Sequence, residues 1–200
     1  MTDLPYLEAA LAGNRDAWVC PLRDELNAAI AGMPHPAMSR VLALGAPNRF
    51  LGQLVAAGDV AAARVSIHRP RRGPELFEIG GPDARLLIGV REQGVLVDIC
   101  ALATHEANQW ALRRGDGWCL GYDAWLACET GAARALRIVA TPLAWLRGGG
   151  AGVCVLDWDI GVRMLRGLGE GVTLKTDRGA GERLRALLQH GGFARQRGSE

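Results

Sequence analysis

The sequence has little lysine and no large excess of charge of either sign. Lys175 is the only lysine, and 23 basic residues stand against 21 acidic ones, for a formal net charge of +2. So small a net charge provides no global basic field of the kind that attracts nucleic acid. The dominance of arginine is most simply a codon-composition effect in a chain rich in alanine and glycine. Arginine also binds phosphate through two parallel hydrogen bonds, so local phosphate contacts remain open.

Long apolar runs and closely spaced cysteine pairs are also missing. No run approaches the roughly 20 apolar residues that a membrane helix needs, and the start of the chain lacks the basic segment of a signal peptide. The five cysteines include no Cys-x-x-Cys pair, which argues against a zinc knuckle and a disulfide framework. We therefore expect a cytoplasmic protein with no membrane partner, whose reduced cysteines act as small apolar residues.

The first third of the chain predicts helices. Apolar residues recur at helical spacing in 3–32, 37–44 and 48–63, so we expect a helical subdomain over 1–66. Proline, glycine and arginine then crowd residues 67–84, which predicts a linker. Its basic side chains are His68, Arg69, Arg71 and Arg72. Basic clusters of this kind can contact phosphates, but a solvated connector is their commoner role.

Residues 85–190 predict an α/β domain, followed by a flexible tail over 191–200. Two apolar stretches flank the turn residues 92–94 in RLLIGVREQGVLVDICALA, which is typical of an antiparallel hairpin, and 108–114 predict a third strand. From Trp118 onward, short apolar strands alternate with short helices. This order is typical of βαβ units, so we expect a parallel sheet covered on both faces, with its chemistry at the carboxyl ends of the strands.

Two short motifs give this domain a further likeness. The segment Gly121-Tyr-Asp-Ala-Trp125 follows the first predicted strand, and Asp157-Trp-Asp159 ends the third. In this order, after an antiparallel hairpin, they resemble motifs of the Toprim domain of bacterial and phage primases. That family has Glu-Gly after the first strand, an aromatic residue and an aspartate at the start of the next helix, and Asp-x-Asp after a later strand. The resemblance covers roughly residues 85–190 and implies a Toprim-like sheet.

The resemblance also implies a metal site and a nucleic-acid surface. In the family the acids bind a divalent metal for phosphoryl chemistry, so the implied cofactor is Mg²⁺ or Mn²⁺. The implied metal ligands are Asp157, Asp159 and Asp177, the last at the end of the following strand. The implied phosphate contacts are Arg113, Arg114 and Lys175. Single-stranded DNA or a replication protein is the implied partner.

One departure from the family bears directly on catalysis. Leu120 stands where the family has its glutamate, and leucine can neither ligate a metal nor exchange a proton. We therefore predict a non-catalytic or weakly metal-binding protein associated with DNA replication or a mobile element. Two carboxylates at i and i+2 would still point the same way if the strand continued, and could share one Mg²⁺ ion.

A second interpretation gives the acids a structural role. Asp159 would cap a helix over 160–168, Asp177 would cap the last helix, and Asp157 would be a solvated strand end. The chain would then be a structural or protein-interaction module with no metal or nucleic-acid role. Nucleic-acid function predicts the basic residues and the acid pair on one concave face, whereas an interaction module predicts an exposed apolar patch elsewhere.

Overall fold

The computed structural model describes residues 21–32, 35–106 and 108–192. The predictions for residues 3–20 and for the tail from 193 onward therefore lie outside the described residues. The described chain begins with three helices, which are α1 (Pro21–Ala31), α2 (His35–Ala43) and α3 (Asn48–Ala56). Pro21 occupies the first turn of α1, where a missing N–H costs no hydrogen bond, and Leu22 and Leu26 are buried.

Helix α3 ends well before residue 63, the end that the sequence predicted. Gly58 adopts the left-handed conformation with a φ of 65°, and a strand begins at Val60. The alanine-rich start of this strand favours a helix by composition, but it pairs with a later strand over residues 60–65. Strand formation depends on what the neighbouring strand and the packed face provide, so tertiary pairing overrides the local preference here.

Five strands form a closed barrel. They are β1 (Val60–His68), β2 (Leu76–Ile79), β3 (Asp83–Glu92), β4 (Val95–Leu102) and β5 (Trp110–Leu112). Their order is β1-β2-β5-β4-β3, and all neighbours are antiparallel except β2 and β5, which a single parallel pair joins at Leu76 and Leu112. Strands β3 and β4 are the predicted hairpin, and its turn residues Gln93 and Gly94 both have positive φ. Residues 67–84, expected as a linker, contain β2 and the start of β3.

The two faces of the barrel strands pack on different partners, because successive side chains of a strand point to opposite faces. One face packs on α1 through the cluster Leu22, Leu26, Ala61, Val65, Phe77, Leu87, Ile99, Ala101 and Ala111. The other face contributes Val60, Leu86, Ile88, Cys100, Leu102 and Leu112 to a second cluster. Burial on both faces explains the unbroken apolar runs Leu86–Ile88 in β3 and Ile99–Leu102 in β4.

A buried ion-pair cluster fastens α1 to the barrel. Asp59, which is 5% exposed, accepts hydrogen bonds from Arg91 Nε at 2.7 Å and Arg91 Nη2 at 2.9 Å. Arg23 of α1 adds a third hydrogen bond to Asp59 at 3.2 Å and donates to the carbonyl of Gly58 at 2.7 Å. A buried carboxylate needs such partners to offset its desolvation. The cluster therefore fixes α1 against the start of β1.

The rest of the described chain forms a second sheet with four helices. Its elements are β6 (Cys119–Leu120), α4 (Tyr122–Glu129), β7 (Ala135–Val139), α5 (Pro142–Arg147), β8 (Val153–Val155), α6 (Trp158–Arg166), β9 (Thr173–Thr176) and α7 (Arg178–Gly192). The strand order is β6-β8-β7-β9. Strand β7 is parallel to both β8 and β9, whereas β6 is antiparallel to β8. Each strand and helix predicted after Trp118 is present, with somewhat different ends.

The predicted fold, an α/β domain with a parallel Toprim-like sheet, is wrong. The second sheet is mixed, and the segment before it is a closed five-stranded barrel instead of a lone hairpin after a helical subdomain. Apolar periodicity identifies which segments become strands, but it does not give their direction or their neighbours. Strand β6 is only two residues long and leads directly into Gly121, so nothing in its own sequence fixes its orientation.

The barrel and the second sheet share a core. The cluster that contains Val60, Leu86 and the other residues of the second barrel face also contains residues of the second sheet and α5, namely Leu120, Val139, Leu143, Trp145, Leu146, Cys154 and Leu156. A third cluster lies on the opposite face of the second sheet and is covered by α4, α6 and α7. In the part of the chain that the structure describes, no helix is long and apolar enough to cross a membrane.

Candidate functional site

The acid pair after β8 lies at the start of a helix. Strand β8 ends at Val155, and Asp157 is the N-cap residue of α6. Its Oδ1 accepts hydrogen bonds from the backbone N–H of Asp159 at 2.8 Å and of Ile160 at 3.1 Å. Asp159 lies in the first turn of α6, where a negative charge is favourable to the helix dipole. The cap is thus Asp157 and not Asp159, and the two carboxylates do not share a continuing strand.

Asp177 joins two elements at the same edge of the sheet. Its Oδ2 accepts from the N–H of Ala140, just after β7, at 2.9 Å. Its Oδ1 accepts from the N–H of Ala180 in the first turn of α7 at 2.8 Å. Both oxygens therefore hold the start of α7 against the end of β7. The contact with Ala180 is the helix cap that the second interpretation expects of Asp177.

The Mg²⁺ or Mn²⁺ site at Asp157, Asp159 and Asp177 stays a prediction from the resemblance. Within the described ranges, no group of three or more His, Cys, Asp or Glu side chains is arranged to hold a metal ion. A cation of the protein itself lies over the ring of Trp158, the residue between the two acids, with Arg183 Cζ 5.3 Å from the ring centroid. Burial lowers the pKa of Arg183, and the charges of Asp159 and Asp157 oppose this only in part. Leu120, at the place of the family's glutamate, is 1% exposed and packs in the shared core.

A serine substitution separates capping from metal binding at Asp157. Asp157→Ala should lower the free energy of unfolding by about 1 kcal/mol, because it removes the acceptor for two helix N–H groups. Asp157→Ser should cost only a few tenths of that amount, since a serine hydroxyl also caps well. Urea denaturation of both variants measures this. Equal loss in both, or a Mg²⁺-dependent stabilisation of the natural protein that the serine variant lacks, would show that the carboxylate does more than cap α6.

The cysteines of the described chain are structural. Cys100, Cys119, Cys128 and Cys154 are all buried and unpaired. Burial raises the pKa of Cys100, Cys119 and Cys154, so these thiols remain protonated and unreactive near neutral pH. The prediction that the cysteines act as small apolar residues is confirmed for these four.

The tip of the β3–β4 hairpin meets the start of α4. Burial raises the pKa of both Glu92 and Tyr122. Against this, Gln93 at the hairpin tip lowers the pKa of Tyr122, and the backbone of Trp118 lowers the pKa of Glu92, so both turn residues lie near the start of the second sheet. The positive φ of Gln93, 50°, is the one such value outside glycine in the described residues. No nucleophile accompanies these groups, so the contact joins the barrel to the second sheet.

The three predicted phosphate contacts have different surroundings. Arg113 is paired with Glu25 of α1, with Nε 2.7 Å from Oε2 and Nη2 3.0 Å from Oε1. This pair lines a groove of about 500 Å³ between α1 and β1–β2. The Glu25 carboxylate therefore already occupies the hydrogen-bond donors with which Arg113 would bind a phosphate. Arg114 is more exposed, and its one ion-pair partner among the described residues is Asp116, at the long distance of 3.9 Å. Lys175 lies on the exposed strand β9, far along the chain from both.

The fold places the loop after β1, which carries three arginines, next to the turn that carries Arg114. The N–H of Leu112 donates to the carbonyl of Glu75 at 2.8 Å. Gly115 packs so closely on the end of the β1–β2 loop that a Cβ atom there would lie 3.3 Å from Leu76 Cδ2 and 3.7 Å from Pro74 Cγ. The loop after β1 and the turn after β5 therefore form one end of the barrel. We call its arginines the basic rim: Arg69, Arg71, Arg72 and Arg114.

The charges of the basic rim are only partly neutralised. Arg69 pairs with Glu75 at 2.7 Å, and Arg114 has its distant contact with Asp116. Arg71 and Arg72 are exposed and form no ion pair with a described residue. Sequence reasoning noted these arginines but assigned them to a linker. Proline and glycine in this segment belong to a tight loop between two strands. The same composition is also typical of a solvated connector, so the sequence alone does not distinguish the two.

A buried aspartate supports the turn that carries Arg114. Asp98 is fully buried and accepts six backbone hydrogen bonds of 2.8–3.1 Å. Oδ1 accepts from Ile99, Arg113 and Arg114, and Oδ2 accepts from Gly115, Asp116 and Gly117. The turn after β5 thus wraps its N–H groups around one carboxylate, an arrangement known as an anion-binding nest. Asp98 thereby holds the backbone from which Arg114 extends.

No family model, curated protein or solved structure matches the chain. The likeness to Toprim domains therefore stays a prediction from the motifs, without the parallel sheet that it implied.

Proposed function

We propose that this chain is a cytoplasmic, non-catalytic nucleic-acid-binding protein that contacts single-stranded DNA through the basic rim. The observation that carries the proposal is that the fold brings Arg71 and Arg72 to the same end of the barrel as Arg114. Phosphate contacts supply most of the affinity of sequence-independent binding, and arginine binds phosphate with two parallel hydrogen bonds. Single-stranded DNA is the form of nucleic acid that the primase resemblance implies.

The acids of the second sheet have no part in this proposal. Asp157 and Asp177 stabilise the fold by accepting hydrogen bonds from backbone N–H groups at the starts of α6 and α7 and just after β7. Arg113 is likewise left out, because its guanidinium is held by Glu25. The expected binding is weak and sensitive to salt, since the chain carries a net charge of only +2 and non-specific binders typically have a Kd of about 1–100 μM at physiological salt.

The test is the binding of a fluorescein-labelled 20-nucleotide polythymidine, followed by fluorescence anisotropy at several salt concentrations. Arg71→Gln/Arg72→Gln should weaken binding about tenfold or more at low salt, because each lost phosphate contact also loses its released counterion. The slope of log K against log salt should fall in magnitude by about 0.7 for each contact removed. Adding Arg114→Gln should reduce the magnitude of this slope further.

A charge-matched control distinguishes the basic rim from the overall charge. Arg163 and Arg166 are exposed on α6 and form no ion pair with a described residue, so Arg163→Gln/Arg166→Gln makes the same change in net charge at another place. This control should bind polythymidine within about twofold of the natural protein. Equal weakening in both double variants, or no binding by the natural protein at low salt, contradicts the proposal.

A further inference from the structure

The outer edge of the second sheet is open in the described structure. Strand β9 is the last strand in the order β6-β8-β7-β9, and all four of its residues are exposed. The N–H groups of Thr173 and Asp177 donate to Arg134 and Ile138 on the β7 side. Successive residues of a strand direct their backbone groups to opposite sides, so the N–H and C=O groups of Leu174 and Thr176 point away from β7. This edge offers two donors and two acceptors to another strand.

The two faces beside this edge differ in chemistry. Lys175 lies directly opposite Arg137 of β7, and neither forms an ion pair with a described residue. Like charges directly opposite each other are unfavourable, so an acidic partner on this face gains by neutralising both. On the other face, Leu174 lies opposite the buried Leu136 and is 36% exposed. A strand added at this edge would meet a basic face on one side and an apolar residue on the other.

We propose that β9 binds an extended peptide in which acidic and apolar residues alternate, and that the peptide adds a fifth strand to the second sheet. Main-chain hydrogen bonds give the affinity in such strand addition, and the alternating side chains give the specificity. An acidic side chain of the peptide lies near Lys175 and Arg137, and its apolar neighbours lie near Leu174. A second copy of the chain fits less well, because its own Lys175 would face the same two cations. This interaction is independent of the basic rim.

The probe is a fluorescein-labelled octapeptide of alternating glutamate and valine, with a lysine–valine octapeptide as the charge-reversed control. The natural protein should bind the acidic peptide and not the basic one in fluorescence anisotropy. Arg137→Gln/Lys175→Gln should weaken binding about tenfold, since it removes the charge-assisted contacts. Leu174→Pro should weaken it by a similar factor, because it removes an outward N–H and leaves the β7 side of the strand unchanged.

Leu174→Ala is the matched control for the proline variant, since it shortens the same side chain and keeps the N–H. It should bind the peptide within about threefold of the natural protein. Arg71→Gln/Arg72→Gln should leave peptide binding unchanged, which separates this inference from the proposed function. The inference is overturned if the natural protein does not bind the acidic peptide, or if binding survives both Leu174→Pro and Arg137→Gln/Lys175→Gln. It is also overturned if polythymidine displaces the peptide, which would make this face a phosphate site.

Discussion

Replacing Asp98 with alanine is expected to lower the free energy of unfolding by about 3–5 kcal/mol, as breaking a buried charged network does. The carboxylate is fully buried, and its removal takes an acceptor from six backbone N–H groups, of which that of Arg113 keeps the carbonyl of Ile99 at 2.9 Å. Each buried N–H that stays unpaired costs about 1–3 kcal/mol, although rearrangement of the turn recovers part of this. Urea denaturation followed by circular dichroism measures the loss. A change below about 1 kcal/mol would contradict this account of Asp98.

Two further variants make the Asp98 result interpretable. Asp98→Asn keeps the shape but turns an NH₂ group toward one set of three donors, so it should also destabilise the protein, by about 2 kcal/mol. Asp116→Asn is the control, because Asp116 lies in the same turn with a side chain that is 65% exposed. Its backbone N–H is unchanged, so the expected effect is within about 0.5 kcal/mol.

The Asp98 variants also connect stability with the proposed function. Asp98 holds the turn that carries Arg114, and that turn packs against the end of the β1–β2 loop. Asp98→Asn should therefore weaken polythymidine binding under conditions where the variant is still folded.

The same carboxylate explains why the chain makes no regular strand between β5 and β6. The backbone donors of that segment are directed to one side chain instead of to a neighbouring strand.

Much of the local structure could be predicted from the sequence. The β3–β4 hairpin was found because Gln93-Gly94 separates two apolar runs, and such a pair suits a turn with two positive φ values. The order of strands and helices after Trp118 was found because each apolar strand is short and is followed by helical spacing. These signals are local, and the structure satisfies them locally.

The barrel could not be predicted in the same way, because its closure depends on contacts between distant segments. Val60 pairs with Ile88, and Leu76 with Leu112, and neither pair leaves a mark in the intervening sequence. The role of Asp98 was hidden for the same reason, since five of its six donors follow it by 15 to 19 residues. Asp157-Trp-Asp159 is a local motif that the sequence leaves open between metal binding and capping. The structure shows its first carboxylate, and not its second, as the N-cap of α6.

Gly121→Ala is expected to be among the most destabilising single-methyl substitutions in the chain. Gly121 has a φ of 79°, and a Cβ atom there would lie 2.1 Å from the carbonyl oxygen of Gly152. It would also lie 2.8 Å from Nε1 of Trp145, which donates to that same oxygen at 3.2 Å. The left-handed conformation costs alanine about 1–2 kcal/mol, and crowding of packed groups typically adds about 1–3 kcal/mol. The expected total loss in urea denaturation is therefore about 2–5 kcal/mol.

Gly131→Ala separates the two causes of this loss. Gly131 follows the same helix and has a similar φ of 76°, but nothing lies within 4 Å of the place a Cβ atom would occupy. It should therefore show the conformational cost alone, about 1–2 kcal/mol, and the difference between the variants measures the clash with Gly152. Similar losses in both would mean that the close approach at Gly121 relaxes without cost. A large difference would show that close packing alone requires glycine at position 121. The presence of Gly121 in a Toprim-like motif would then be no evidence by itself of shared chemistry.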